Sequence, residues 1–292
     1  MHSLIQGLIF GVLTGGVYAL MASGQTLIFG IMKVINLAQG AMVILSAYLS
    51  YELFVWLGID PFLAIPITTV IMFGLGVAIQ YLFLRPLKRE DATELSLLVT
   101  FAIALLLEGI MSVGWSTTRR SLNTSYSLSS WSIAGYRITV VGFAGLMLSF
   151  IAVGLLFLLL NRTRFGRAVR ATVQNPDSAR LLGVEAQRVA ALGFGLGTAT
   201  AAAAGSIYAM LYSFNSGSHY DLISRLLSIV VLGGLGSIGG AVVGGIVVST
   251  SSAVVASTIS PAWSEMTFFV ILIVVLLARP QGLFGTVSRG AI

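Results

Sequence analysis

The residue types that could carry out catalysis or bind a metal ion are scarce in this chain. The 292 residues include no cysteine, and the two histidines are His2 and His219, so neither thiol chemistry nor a Cys- or His-ligated metal site is predicted. The sequence shows no pairing of a nucleophile with a base. The glycine-rich stretch 232–240 lacks the Gly-Lys-Ser/Thr end of a nucleotide-binding loop. We therefore predict a protein that is not an enzyme, needs no cofactor and has no ATP site of its own.

The segment 164–184 carries the clearest local signal for an interaction site. Asn175 is a favourable helix N-cap, Pro176 suits the first helical position, and Asp177 complements the positive end of the helix dipole. Gly183 is a natural terminator. The pattern predicts a helix of about two turns, which is marginal on its own. It is either a basic loop resting on anionic lipid headgroups or a docking helix for a cytoplasmic partner, and the defined caps favour the docking helix.

A few polar side chains fall inside apolar stretches, where they are costly and usually functional. Asn36 and Gln39 open one such stretch, Asn36 as a candidate helix cap. These two side chains form hydrogen bonds between helices or contact a passing solute. The sequence supports the two interpretations equally. Glu108 lies inside another stretch and would pair with a neighbour, face a water-filled cavity or lie nearer the membrane surface. The scarcity of such charges argues against coupling to protons or sodium ions.

The elements that must position these residues are membrane-spanning helices. The composition is 57% hydrophobic and 9% charged, with a mean hydropathy of +0.98, whereas soluble domains carry roughly 25% charged residues. A soluble domain, a disordered chain and a nucleic-acid-binding module are therefore excluded. A helix needs about 20 apolar residues to span a bilayer. Eight stretches qualify: 4–29, 37–57, 62–84, 95–115, 138–160, 189–212, 241–259 and 263–278. The stretch 222–235 is a shorter ninth candidate.

These stretches predict an all-α fold, a polytopic transmembrane helix bundle of eight or nine spans with one broken or re-entrant segment. The whole chain, 1–292, forms a single domain. The break is predicted at 232–240, because five glycines within this stretch cannot form a good helix. Broken backbone at membrane depth is tolerated only where protein buries it or where it lines a cavity. Glycines spaced four apart, such as Gly7, Gly11 and Gly15, predict close packing of helices.

The distribution of basic residues predicts the orientation, because cytoplasmic loops are enriched in Lys and Arg. Twelve of the 16 basic residues would lie on one side: Lys33, Arg85, Lys88, Arg89, six arginines between 162 and 188, Arg279 and Arg289. Four would lie on the other: Arg119, Arg120, Arg137 and Arg225. Nine crossings then place the N-terminus outside and the C-terminus inside. If 222–235 is re-entrant and does not cross the membrane, the number of crossings becomes even and one terminus changes sides.

Four motifs occur in order along the chain. They are Ile-Asn-Leu-Ala-Gln-Gly at 35–40, Gly-Arg-Ala-Val-Arg-Ala at 166–171, Gly-Gly-Leu-Gly-Ser-Ile-Gly-Gly at 233–240 and Arg-Pro-Gln-Gly-Leu-Phe-Gly at 279–285. The sequence closely resembles, over nearly its whole length, the permease subunits of branched-chain amino acid ABC importers. Such importers have two permeases, and in length this chain resembles the shorter one. Gln39 stands where many members carry His, and Gly239 where many carry Pro. Related permeases serve urea, short amides and aromatic acids, so the solute stays open.

The resemblance implies a multi-pass protein of a bacterial or archaeal inner membrane that forms half of a translocation pathway. The implied partners are a paralogous second permease, two ABC ATPase subunits, a periplasmic solute-binding protein and membrane lipid, with no nucleic acid. The cytoplasmic loop 161–188 would couple to the ATPase through Gly166, Arg167, Arg170, Asn175, Pro176, Ala179, Leu181, Leu182 and Gly183. The expected pathway-lining residues are Asn36, Gln39, Gly40, Gly233, Gly236 and Ser237. The alternative is an ATP-independent secondary carrier or channel for a small polar solute such as urea or an amide.

Overall fold

The computed structural model describes residues 2–87, 92–127, 129–133 and 135–285. In this part of the chain the helices are α1 His2–Met32, α2 Gln39–Leu57, α3 Pro61–Ile79 (extended by a π-helical turn, Gln80–Leu84), α4 Ala92–Trp115, α5 Val140–Arg162, α6 Arg164–Gln174, α7 Pro176–Leu181, α8 Ala186–Leu211, α9 His219–Gly233, α10 Ile238–Thr258 and α11 Pro261–Ala278. Two strands, β1 Ser130–Ile133 and β2 Tyr136–Thr139, form an antiparallel hairpin. The basic residues Lys88, Arg89 and Arg289 lie outside the described residues.

Eight of these helices are long and apolar enough to cross a membrane. They coincide with the eight full-length stretches predicted from the sequence, and the all-α polytopic bundle is confirmed. Helices α1, α2 and α8 form the interior, whereas α11 is almost entirely at the surface of the isolated chain. The β1–β2 hairpin was not predicted. It is held at the start of α1, where the His2 ring stacks on Tyr136 at 4.7 Å and Gln6 donates a hydrogen bond to the Arg137 carbonyl.

Glycines let the two most closely packed helices, α1 and α10, approach each other backbone to backbone. Gly7 lies against Ser257, Gly11 against Thr250, and Gly15 against Ile246. Because residue numbers rise in one helix as they fall in the other, α1 and α10 are antiparallel. The spacing of four predicted close packing of this helix but not its partner, since small residues let membrane helices meet where lipid supplies no hydrophobic driving force.

These contacts define two ends of the bundle. At the inner end, Gly30 lies beside Gly236, and Val169 of α6 packs in one cluster with Leu27 and Ile31 of α1. The outer end contains the first turn of α1, the β1–β2 hairpin and the end of α8. The charge distribution predicts that the inner end faces the cytoplasm.

The short helix α9 completes a ninth crossing. The chain leaves α8 at the outer end, where Ala209 accepts a hydrogen bond from the Leu122 amide. Residues 212–218 then run back into the bundle, so that the first residue of α9 already contacts Gly40 of α2. Helix α9 ends at the inner end, where Gly233 meets Gly240. An extended segment followed by 15 helical residues therefore crosses the bundle fully, and the nine-span parity is retained.

One residue used in the orientation argument was misplaced. Arg225, assigned from the sequence to a loop on the outer side, lies within α9, six residues after its start. Its guanidinium contacts Tyr18 of α1 and Glu265 of α11 rather than free solvent. Arg225 already lies within the apolar stretch 222–235, and its assignment to a loop is wrong because partners on α1 and α11 hold it inside the bundle.

A tyrosine–aspartate pair anchors the long outer loop and yields a titration prediction. Tyr126 donates a hydrogen bond of 2.7 Å to Asp60, whose other oxygen caps α3 by accepting from the Phe62 amide. Partial burial, and then this hydrogen bond, raise the pKa of Tyr126 to about 12. The neutral tyrosine therefore stabilises the fold below its ordinary pKa of 10.0, and that contribution is lost as the pH rises towards 12.

We expect ultraviolet difference titration against a Tyr126→Phe variant to show one tyrosine ionising near pH 12. In an Asp60→Asn background the same difference should move to lower pH, because the carboxylate no longer opposes ionisation. A Tyr126 that ionises at the ordinary tyrosine pKa in the otherwise unchanged chain would contradict the hydrogen bond.

Candidate functional site

The short helix predicted after Asn175 is present as α7, with its predicted cap. The Asn175 side-chain oxygen accepts hydrogen bonds from the amides of Asp177 and Ser178, at 3.0 and 2.9 Å. Pro176 is the first helical residue, and Gly183, with φ at +81°, adopts the left-handed conformation that ends the helix. These local interactions satisfy amides that a helix N-terminus otherwise leaves unpaired. The sequence therefore predicted this element correctly.

Helix α7 presents an apolar surface at the inner end. Leu181 and Leu182 are 90% and 82% exposed, whereas Ala179, on the opposite side, is 2% exposed. Two adjacent leucines in water forgo the free energy of burial, about 1.5–3 kcal/mol for each side chain. The nearby pair of Arg180 and Asp177 is exposed, with 3.6 Å between the charged atoms, and it contributes little stability. An exposed apolar tip on a capped helix has the character of a protein-binding surface.

A second amphipathic helix, α6, joins α7 to the spans and was not predicted separately. Gly166 packs so closely on the Leu160 carbonyl that any side chain would overlap it. Arg170 donates a hydrogen bond of 2.6 Å to the same carbonyl, while Arg167 is exposed. Together with the packing of Val169 on α1, these contacts give α7 a stiff connection to the membrane helices.

The glycine-rich break forms a reverse turn between α9 and α10 at the inner end. Gly234 and Gly236 have φ values of +97° and +89°, which favour glycine. The Ser237 hydroxyl accepts from the Gly240 amide at 3.1 Å and caps α10. Gly233 accepts a hydrogen bond from the amide of Phe284, so the 279–285 motif holds the end of α9. The predicted interruption is thus real, and it joins two antiparallel helices.

A cavity of about 450 Å³ lies between this turn and α6. Gly236 lines it together with Gly30, Asn161, Arg170 and Gln174. The cavity therefore touches the glycine turn, the last turn of α1 and the helix that carries α7. The α6 part of the cavity wall is followed directly in the chain by α7.

Asn36 and Gln39 hold an unwound stretch of backbone inside the bundle. The Asn36 side chain accepts from the Ala38 amide and donates to the Gln39 side chain, each at 3.1 Å. Gln39 in turn donates a hydrogen bond of 3.2 Å to the Gly197 carbonyl of α8. Both side chains are completely buried. The residue before α2 is Ala38, so Asn36 supports the turn but is not the N-cap that the sequence indicated.

The predicted pathway residues fall into two separate groups. Gly40, like Asn36 and Gln39, lies where α2 meets the start of α9, and a side chain there would press on the His219 carbonyl. Gly233, Gly236 and Ser237 lie at the other end of α9. A helix rises about 1.5 Å per residue, so the groups are about 20 Å apart along α9. The structure does not bring them into one site.

A cluster of ionisable side chains on α9 was missed by sequence reasoning. Arg225 donates to the Tyr18 hydroxyl at 3.2 Å, lies 3.6 Å from a Glu265 oxygen and sits over the Phe268 ring. Nearer the start of α9, Tyr220 donates a hydrogen bond of 2.8 Å to Glu108. The available signal was an arginine in an otherwise apolar stretch, which is unusual inside a membrane helix.

Comparison with known proteins agrees with this architecture. The sequence profile of the family described as branched-chain amino acid transport system / permease component matches residues 7–276. The chain belongs to this family. It is 27% identical to the high-affinity branched-chain amino acid transport system permease protein BraD of Pseudomonas aeruginosa, over 97% of this chain and 96% of that one. It is 28% identical to the LivH permease protein of Escherichia coli, over 96% and 95% of the two chains.

An archaeal relative extends the comparison. The probable branched-chain amino acid transport permease protein LivH of Methanocaldococcus jannaschii is 29% identical over 91% of this chain and 88% of its own. Among solved structures, a chain of PsaBC from Streptococcus pneumoniae, in complex with Fab, matches with a TM-score of 0.41 and 12% identity, covering 96% of this chain and 91% of that one. Membership of the permease family and eight apolar helices make this chain a multi-pass protein of the inner membrane.

Proposed function

We propose that this chain is a permease subunit of an ATP-driven importer for branched-chain or related amino acids, in which it forms half of the translocation pathway. The family match over residues 7–276 and the names of the bacterial and archaeal relatives support this solute class. The second half of the pathway would be a paralogous permease, and a periplasmic solute-binding protein would deliver the solute to the outer end.

The observation that carries the coupling role is the capped helix α7 with two exposed leucines at the inner end. In the proposed complex, Leu181 and Leu182 fill an apolar cleft of an ATPase subunit, and Arg167 offers charge at its rim. Two such subunits hydrolyse ATP, since this chain carries no nucleotide-binding motif of the Walker type. ATP drives transport because the ATPase pair prefers one arrangement of the permeases over the other, and only such a difference in affinity shifts a conformational equilibrium.

Within this mechanism, α6 carries the movement of α7 to α1 and to the glycine turn. Gly233, Gly236 and Ser237 then shape the inner opening of the pathway. Asn36, Gln39 and Gly40 form the interior constriction, where the hydrogen bond from Gln39 to α8 would exchange for contacts with solute as the helices move. Anionic lipid headgroups contact the remaining basic residues of the 161–188 loop.

Removing the α7 cap tests this coupling role with a small change. Asn175→Ala leaves two amides without their acceptor and costs about 1 kcal/mol of helix stability. A helix of 6 residues is marginally stable, so this loss reduces the fraction of chains in which α7 is folded. An energy of about 1 kcal/mol corresponds to about a fivefold change, and we expect ATP-driven uptake to fall by about the same factor. Asn175→Asp keeps the acceptor and adds a charge that the helix N-terminus favours, so its uptake should stay close to that of the natural chain. Equal losses in both variants would contradict the role of the cap.

The deciding experiment is purification from native membranes in mild detergent, mass spectrometry of the co-purified chains, and uptake assays in proteoliposomes. Recovery of two ATPase subunits and a second permease, with leucine uptake that requires ATP, would support the proposal. Recovery of the chain alone, with uptake that follows a proton or sodium gradient, would support a secondary carrier. Passive equilibration of urea by the chain alone would support a channel.

A further inference from the structure

A small polar cavity lies in the outer half of the bundle, between α1, α9, α10 and α11. Its volume is about 140 Å³, several times the 10–15 Å³ or so that one water molecule requires. It is below the roughly 300 Å³ at which sites for drug-sized ligands begin. The cavity therefore fits a small solute or its polar head. Its walls include Thr14, Tyr18, Tyr212, Arg225, Ser249 and Phe268.

Arg225 supplies a positive charge to this cavity. A guanidinium carries five N–H donors, and within the described residues its polar contacts are the hydrogen bond to Tyr18 and the 3.6 Å ion pair with Glu265. The ion pair is longer than a hydrogen bond, so the guanidinium keeps donors for a further acceptor. Arginine binds a carboxylate in a forked, two-bond geometry that lysine cannot reproduce.

Ser249 gives an independent indication of a ligand. Its side chain is 4% exposed and lines the cavity, and its hydroxyl has no hydrogen-bond partner among the described residues. A buried hydroxyl without a partner costs about 1–3 kcal/mol. Native structures retain few such groups, so an occupant that bonds to this hydroxyl is the natural explanation.

We propose that this cavity binds the α-carboxylate group of the transported amino acid. Arg225 and the Ser249 hydroxyl hold the carboxylate, while Phe10 and Phe268 border the apolar side chain. A guanidinium and a hydroxyl donor at one cavity match a carboxylate and give no advantage to neutral urea. The inference rests on the proposed function and adds to it the chemical groups that the permease recognises.

The absence of cysteine from the chain makes the cavity directly testable. In the assembled importer, Ser249→Cys introduces a single thiol into this subunit, and retained leucine uptake verifies that the variant is functional. We expect the thiol to react with a small methanethiosulfonate reagent. Leucine at ten times its dissociation constant should slow this reaction about tenfold, because the site is then about nine-tenths occupied. Leucinol, which lacks the carboxylate, should give no protection.

Second variants separate recognition from folding. In the Ser249→Cys background, Arg225→Gln should abolish protection by leucine while the thiol still reacts with the reagent, and Arg225→Lys should retain part of the protection. Asp221→Asn, which changes an exposed carboxylate outside the cavity on the helix that carries Arg225, should leave protection unchanged. Continued reaction of the thiol shows that the reagent still reaches the cavity.

The proposal would be overturned by full protection by leucine in Arg225→Gln, by equal protection by leucinol, or by a labelling rate that follows the phospholipid headgroups of the vesicle instead of leucine. The last result would identify a lipid site. An importer that takes up leucine with ATP, but in which leucine never protects the thiol at position 249, would refute this site alone. An importer that takes up no amino acid would refute the proposed function.

Discussion

Leu182→Asp is expected to uncouple ATP hydrolysis from uptake, lowering ATP-driven leucine uptake at least about 30-fold. Leu182 directly follows α7 and is 82% exposed in the isolated chain. If an ATPase cleft buries it, the change removes about 2 kcal/mol of apolar burial and adds the further cost of desolvating a carboxylate. Uptake into proteoliposomes and solute-stimulated ATPase activity, measured on the same preparation, check this result.

Two matched variants isolate the cause. Leu182→Met keeps the volume and apolar character of the side chain, and we expect uptake within about twofold of the natural chain, since such swaps usually cost little. Gln187→Asp places the same new charge on an exposed residue of the same loop and should also leave uptake nearly unchanged. Undiminished solute-stimulated ATPase activity in Leu182→Asp would contradict the assignment of α7 as the docking helix.

The features that were predictable from sequence are those that depend on neighbouring residues. The length of an apolar stretch determines whether a helix can cross a bilayer, and all eight long helices follow from it. The cap of α7 involves Asn175 and the two amides that follow Pro176, so its signal is complete within four residues. The reverse turn before α10 is likewise dictated by Gly234 and Gly236.

The features that were missed depend on distant partners. Helix α6 is rich in arginine and was treated as part of a loop, but its apolar face packs on Leu27 and Ile31, far away in sequence. Arg225 could not be placed without Tyr18 and Glu265, which lie on two other helices.

The two interpretations of Gln39 were separated only when the structure supplied its acceptor, the Gly197 carbonyl of α8. That contact favours a bond between helices in this conformation. Exposure to solute would require the bond to break. Sequence spacing thus identified the polar residue but not the state in which it acts.

Two adjacent glycines at the start of α10 are expected to respond oppositely to the same substitution. A methyl group at Gly240 would overlap the Gly233 carbonyl oxygen at the end of α9, whereas at Gly239 it would meet nothing within 4 Å. Because the obstacle is backbone, it cannot rotate aside. Gly240→Ala should therefore cost about 1–3 kcal/mol through overpacking, and Gly240→Val more. Gly239→Ala should be neutral or gain up to about 1 kcal/mol, since alanine loses less conformational entropy in a helix.

Thermal unfolding of the detergent-solubilised chain checks the pair, with Gly239→Ala as the matched control for Gly240→Ala. The separation of α9 from α10 also sets the shape of the turn that carries Gly236, which lines the inner cavity with Arg170. Gly240→Val should therefore reduce ATP-driven uptake even at temperatures where the variant stays folded. Equal shifts in melting temperature for the two alanine variants would show that α9 and α10 are not in backbone contact at this point. The glycine turn would then allow a larger separation of the two helices than its geometry indicates.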